Sequence, residues 1–245
     1  MSRTTRMGGA VIALALASAA TPALAQIPGM PLFTNPRYGT GFRIHADYGR
    51  PTEADPNGDL AVAQAGVTFA LGPIGIGANV GTTMNSVKTA NQCSTSPTPA
   101  CLDDRATVSA LAQLRVMGGG RSNLSVSVFG GGSMDLDSAD AAAGGVSENK
   151  RINVPLGVAV GYRLPLGMAS LNLWGAGRYN LTRYANCTGT CTNPDPVFGW
   201  AVGADLPIFR ILSVRAAYDS HKPKGATEAI NVFGVGASIG LGGMR

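Results

Sequence analysis

The chain has 245 residues, a formal net charge of +5, 13% charged residues and 34 glycines. This length suits one domain. The mild charge, with only four lysines and no basic cluster, argues against a nucleic-acid partner.

The first 25 residues have the pattern of a secretory signal peptide. Arg3 and Arg6 form a positive region, an apolar run follows over residues 7 to 20, and Ala23-Leu24-Ala25 is a small-residue cleavage site. An uncleaved membrane anchor is disfavoured because the run is shorter than the roughly 20 residues that a spanning helix needs. We predict that residues 1–25 are removed on export and that residues 26–37 form a short periplasmic segment.

Ten stretches between residues 38 and 241 alternate apolar and polar residues, which is the period of a β-strand with two unlike faces. In the fourth stretch, for example, Val108 and Ala110 share one face while Thr107 and Ser109 share the other. The predicted strands cover residues 38–49, 60–71, 73–84, 105–117, 123–136, 151–164, 169–181, 197–206, 210–219 and 228–241.

An alternative for residues 60 to 87 is a transmembrane helix, because this segment contains no charged residue. Gly72-Pro73 interrupts its middle, however, and both halves keep the two-residue period. Two strands joined by a turn explain the segment better.

The linkers between the predicted strands alternate in length. Short Gly- or Pro-containing turns follow the even-numbered strands, whereas long polar linkers follow the odd-numbered ones, at residues 50–59, 85–104, 137–150, 182–196 and 220–227. Strict alternation puts all long linkers on one side of an up-and-down barrel, and an even strand count returns both termini to the other side.

In this pattern, over residues 38 to 241, the chain resembles the small eight- to ten-stranded β-barrels of the Gram-negative outer membrane. The resemblance implies an all-β, antiparallel transmembrane barrel that is inserted into outer-membrane lipid by the barrel assembly machinery. It also implies that the short turns are periplasmic and that the long linkers are extracellular.

The face opposite the apolar one is predicted to line the lumen, because charges that face lipid would cost roughly 2 to 4 kcal/mol each near the midplane. We expect a polar interior filled by side chains, too narrow for a wide channel. The residues predicted for this lumen are Arg43, His45, Asp47, Gln113, Arg115, Arg163, Arg178, Asp205 and Arg215.

All four cysteines lie in two of the long linkers: Cys93 and Cys101 in the second, Cys187 and Cys191 in the fourth. Export to an oxidising compartment favours disulfides over a metal site. Three pairings are possible, and we favour the two local ones, which constrain each linker separately.

Asp219-Ser220-His221 at the outer end of the ninth strand raises the possibility of an enzyme, because a carboxylate beside a histidine can orient it to activate water. Omptin-type proteases carry an Asp-x-His pair at this rim opposite an acidic pair, and Asp103-Asp104 closes the second linker here. The linkers are much shorter than in that family, so a solvated rim pair is the favoured interpretation.

The sequence therefore predicts a passive integral outer-membrane barrel with a structural or surface-interaction role, whose extracellular partner it does not identify. It predicts no enzymatic activity and no catalytic, cofactor-binding or metal site. Alternatives are a narrow pore for small solutes, suggested by the arginine-rich lumen, and the rim hydrolase. A secreted soluble barrel is disfavoured because no helical segment could cover the apolar face.

Overall fold

The computed structural model describes residues 41–52, 60–85, 105–119, 122–136, 150–167, 169–185, 196–208, 211–222 and 229–241. The predicted signal peptide, the segment 26–37 and all four cysteines lie outside these residues. The part of the chain that the structure describes contains no helix long and apolar enough to cross a membrane.

Ten antiparallel strands form a closed barrel in which each strand pairs with its neighbours in sequence and β1 pairs with β10. The fold class and the strand count predicted from the sequence are confirmed. The strands are β1 (Gly41–Pro51), β2 (Leu60–Leu71), β3 (Ile74–Asn85), β4 (Arg105–Gly118), β5 (Leu124–Asp135), β6 (Lys150–Leu166), β7 (Ala169–Ala185), β8 (Val197–Pro207), β9 (Leu212–His221) and β10 (Ile230–Leu241).

The predicted strand ends differ from the observed ones by a few residues. The largest difference is in β7, which continues to Ala185 instead of ending at residue 181. The last residues of β7 remain in the sheet because they pair with β6. Thr182 lies opposite Asn153, and Leu181 lies opposite Val154. Cross-strand pairing therefore overrides the local preference of a polar segment for a loop.

The short turns use backbone conformations that suit glycine. Gly72, between β2 and β3, has a φ of 58°, and Gly118, at the end of β4, has a φ of 80°. Both values lie in the left-handed region, which costs a residue with a side chain more than it costs glycine. A register shift between Arg115 and Met117 in β4 precedes the second of these turns.

The outward face of the barrel is apolar from strand to strand. Two charged residues in this register, Arg50 and Arg183, lie at the strand ends nearest the long linkers. Exposed outward side chains include Ile44, Val67, Phe69, Ile76, Val80, Leu114, Val128, Leu156, Val158, Val160, Leu173, Val202, Val235 and Ile239. Many polar side chains of the strands, such as Gln64, Asn79 and Ser127, are buried on the opposite face, inside the barrel.

Candidate functional site

The barrel interior brings together most of the residues that the sequence places in the lumen. His45, Asp47 and Gln113 are buried there. Five of the others are half-buried in the inward register: Arg43, Arg115, Arg178, Asp205 and Arg215. Arg163 shares this register, but its side chain is exposed near the short-turn end of β6.

Asp47 and Arg215 form an ion pair in the interior. Arg215 donates from Nε to Asp47 Oδ1 at 2.7 Å and from Nη2 to Oδ2 at 3.1 Å, and the Asp47 side chain is fully buried. The two residues lie on β9 and β1, and both face Gly236 on the intervening β10. A Cβ at position 236 would stand 1.9 Å from Asp47 Oδ1, so a side chain at this position would displace the carboxylate from its observed place.

A second hydrogen-bonded series extends from β1 to β4. His45 Nε2 donates to Asn79 Oδ1 at 2.6 Å, and Asn79 Nδ2 donates to Ser109 Oγ at 3.1 Å. His45 and Asn79 again face a glycine between them, Gly66 on β2, where a Cβ would lie 2.1 Å from Asn79 Oδ1. We call the inward set His45, Asp47, Gln64, Asn79, Ser109 and Arg215 the polar wall.

Gln64 adds a second donor to Asp47 in the polar wall. Its Nε2 donates to Asp47 Oδ2 at 3.2 Å, so Asp47 accepts from both Gln64 and Arg215. A buried carboxylate is stable when it is paired and hydrogen-bonded in this way.

Further along the lumen, Asp219 is held by Arg178, whose Nη2 donates to Asp219 Oδ1 at 2.7 Å. His221 Nδ1 lies 4.0 Å from the same oxygen, and the His221 side chain is buried. The Asp-x-His pair at the rim is therefore part of an arginine ion pair. Asp103 and Asp104, the acidic pair proposed to oppose it, lie outside the described residues.

Gln113 and Arg115 are used in local contacts near the short-turn end. Gln113 Nε2 donates to Ser127 Oγ at 2.6 Å, and Arg115 Nη2 donates to the carbonyl oxygen of Gly72 at 2.8 Å. Arg115 thus ties β4 to the turn between β2 and β3.

The interior also contains an apolar group that the sequence analysis missed. We call it the apolar cluster, and its members are Phe129, Ala159, Trp174, Ala176, Ala201, Ala217 and Val232. Its two rings lie over glycines: a Cβ at Gly157 would stand 2.4 Å from Phe129 Cζ, and a Cβ at Gly203 would stand 2.4 Å from Trp174 Cζ2.

The alternation itself contained the signal for these rings. Phe129 follows Ser125 and Ser127 on the polar face of its strand, and Trp174 stands between Asn172 and Ala176 in the inward register. The sequence analysis treated the inward face as polar throughout and therefore did not assign these two residues to the lumen. The lumen therefore contains an apolar cluster as well as polar and charged side chains.

The outward apolar surface requires a lipid environment, because a soluble monomer rarely exposes an apolar patch of more than a few hundred square ångströms. A closed barrel meets the other requirement of lipid, since every strand has a partner on both sides. The architecture is thus that of a membrane-spanning β-barrel of the outer-membrane type.

No protein-family model matches the sequence, and no curated protein matches it. Among solved structures, the chain is similar to a bacterial polysaccharide outer-membrane secretin, with a TM-score of 0.44 and 9% identity over 84% of this chain and 100% of that one. It is also similar to the NanC porin, with a TM-score of 0.40 and 11% identity over 82% of this chain and 100% of that one. The translocator domain of the autotransporter NalP from Neisseria meningitidis has a TM-score of 0.39 and 13% identity over 97% of each chain. Similarity at this level carries no information about function.

Proposed function

We propose that this chain is an integral outer-membrane barrel that acts as a passive anchor for its long linkers and whose lumen is closed by its own side chains. The observation that supports this proposal is that two different sets of side chains line the interior, the polar wall with its Asp47–Arg215 pair and the apolar cluster with Phe129 and Trp174. A ten-stranded barrel is only slightly wider than an eight-stranded one, which side chains alone can fill.

Planar-bilayer recording tests the closed lumen. Purified, refolded protein should give no single-channel steps, because the ion pair and the rings obstruct the path. The Asp47→Ala/Arg215→Ala double variant is the matched comparison, since it removes the pair and leaves the apolar cluster in place. Regular steps from the unsubstituted protein would contradict the proposal.

The membrane location is tested separately. Folded protein should fractionate with the outer membrane and should migrate differently on a gel before and after heating, as closed barrels do. Release from the membrane by salt alone would contradict an integral barrel. Outer-membrane lipid and the barrel assembly machinery are the partners this proposal requires, so depletion of that machinery should leave the chain unassembled.

The anchor proposal includes disulfides in two long linkers. Two local bonds, Cys93 to Cys101 and Cys187 to Cys191, would shorten the free length of each linker and lower its conformational entropy. Peptide mapping without reductant should recover these two linked pairs. Recovery of peptides that link the second linker to the fourth would overturn the local pairing.

A narrow pore is the second candidate, and the half-buried arginines of the lumen favour it. Arg43 and Arg215 lie in the inward register beside Asp47 and Asp205, which gives a lumen with both signs of charge and an excess of arginine. A pore of this kind should prefer anions, and Arg43→Gln should weaken that preference. Absence of conductance at all voltages would exclude it.

We propose that the protein has no enzymatic activity. The contacts that Asp219 and His221 already make in the barrel support this. Asp219 is engaged by Arg178, and His221 is buried. Refolded protein should hydrolyse neither peptides nor phospholipids. Hydrolysis that is lost in His221→Ala would instead favour a rim hydrolase.

A further inference from the structure

The inner surface of β3 at Gly81 lies between two buried side chains. The register places Gly81 opposite Gln64 on β2 and opposite Thr107 on β4. Gln64 is 4% exposed and Thr107 is 1% exposed. Within the described part of the chain, neither Gln64 Oε1 nor Thr107 Oγ1 has a hydrogen-bond partner.

The orientation of the Gln64 amide is fixed by the hydrogen bond that its Nε2 makes. Gln64 Nε2 donates to Asp47 Oδ2, and a flipped amide would turn Oε1 toward the carboxylate. Oε1 is therefore an acceptor that requires a donor from elsewhere. An unsatisfied buried acceptor is costly, and buried polar groups in folded proteins are almost always paired with protein or with ordered water.

Glycine at position 81 places no side chain between Gln64 and Thr107. A Cβ at this position would stand 3.4 Å from Thr107 Oγ1, 3.1 Å from Gln64 Cβ and 3.0 Å from the carbonyl oxygen of Ala63. The space above Gly81 is thus bordered by a hydroxyl, a backbone carbonyl and the side chain that carries the free amide oxygen. Buried waters typically make two to four hydrogen bonds to groups of this kind.

The charge balance favours a neutral ligand. Asp47, the carboxylate nearest in the register, is already paired with Arg215, so no uncompensated negative charge is available to hold a cation. A water molecule can donate one hydrogen to Gln64 Oε1 and exchange a second hydrogen bond with Thr107 Oγ1.

We propose that the space above Gly81 is a buried water-binding site, in which one water molecule bridges Gln64 Oε1 and Thr107 Oγ1. The bridge joins Gln64 on β2 to Thr107 on β4 across Gly81. It does not depend on whether the lumen conducts.

Substitution of Thr107 tests the proposal, because the expected change in stability differs in sign with and without a bridging water. With a bridging water, Thr107→Val removes one of its partners and should lower the folding equilibrium constant about tenfold. Thr107→Ser keeps the hydroxyl and should retain most of the stability. Without the water, Thr107→Val replaces an unpaired buried hydroxyl by a methyl group of similar shape, and stability should stay the same or rise, which would overturn the proposal.

Gly81→Ala completes the experiment, because its methyl group would occupy the space of the water. The losses caused by Gly81→Ala and Thr107→Val should not add, since either substitution displaces the same molecule. Additive losses in urea unfolding would contradict a shared water.

A crystal structure of the unsubstituted, refolded protein decides the question without any variant. Density for a water within hydrogen-bonding distance of both Gln64 Oε1 and Thr107 Oγ1 is expected. A direct bond between the two side chains, or no water there while other lumen waters are ordered, would overturn the proposal.

Discussion

The polar wall and the apolar cluster stabilise the same interior by different forces. The polar wall depends on directed contacts, such as the 2.7 Å bond between Arg215 Nε and Asp47 Oδ1 and the 2.6 Å bond between His45 and Asn79. The apolar cluster depends on the volume and packing of Phe129 and Trp174. One is sensitive to the loss of a single partner, the other to the loss of buried volume.

Both regions nevertheless use the same backbone device. Adjacent strands lie about 4.8 Å apart, so residues on strands separated by one other strand are roughly 10 Å apart. Asp47 and Arg215 can meet across this distance because Gly236 between them has no side chain, and Trp174 can extend over Gly203 for the same reason. The comparison teaches that inward glycines decide which side chains of the lumen touch.

The largest expected effect comes from removing one member of the Asp47–Arg215 pair. Arg215→Met leaves a fully buried carboxylate without its cation and should lower the free energy of unfolding by about 4 kcal/mol. Urea unfolding in lipid vesicles, followed by the heat-modifiable gel shift, measures this loss. The control is Asp47→Leu in the same variant, which removes the stranded charge and should restore most of the stability; if it does not, the pair is not the cause.

Trp174→Ala tests the apolar cluster and should lower the free energy of unfolding by about 3 kcal/mol, because the cavity left by the ring cannot close in a rigid barrel. Trp200→Ala is the matched control on the outward face, where the ring contacts Tyr218 with centroids 5.7 Å apart. Its loss should be about 1 kcal/mol. Equal losses for the two tryptophans would show that the inner ring contributes no special packing.

Gly236→Ala tests the shared device and should lower the free energy of unfolding by about 2 kcal/mol, because the new methyl group would displace Asp47. Gly175→Ala is the control, since its Cβ would meet nothing closer than Val202 Cγ1 at 3.7 Å. The same unfolding measurement should find the control near the unsubstituted protein. If Gly236→Ala left the free energy of unfolding unchanged, this glycine would not be required for the ion pair.

The smallest effect is expected for a neutral pair between β9 and β10. Ser213 Oγ and Ser238 Oγ lie 2.7 Å apart, and Ser213→Ala should cost about 1 kcal/mol because it leaves the other hydroxyl without this partner. The Ser213→Ala/Ser238→Ala double variant should be closer to the unsubstituted protein than the single variant is. A double variant that is clearly worse would indicate separate roles for the two hydroxyls.

Much of the barrel was predictable because the alternation of apolar and polar residues along a strand shows which residues lie on each of its two faces. The alternation of Val108 and Ala110 with Thr107 and Ser109 assigns inner and outer positions without any knowledge of the partner strands. The end of β7 was less predictable, since Thr182 stays in the sheet only through its pairing with Asn153 on β6. Phe129 and Trp174 were missed because an inward face was equated with a polar one.

The sequence by itself determined the number of strands, their alternating linkers and the face on which each residue lies, because these follow from a local two-residue period. Only the tertiary structure decided which inward residues meet. Asp47 and Arg215 are 168 positions apart in the chain and become partners because closure of the barrel places β10 between β1 and β9. A glycine that the sequence shows as a small residue in a wall becomes, at position 236, the space in which that ion pair forms.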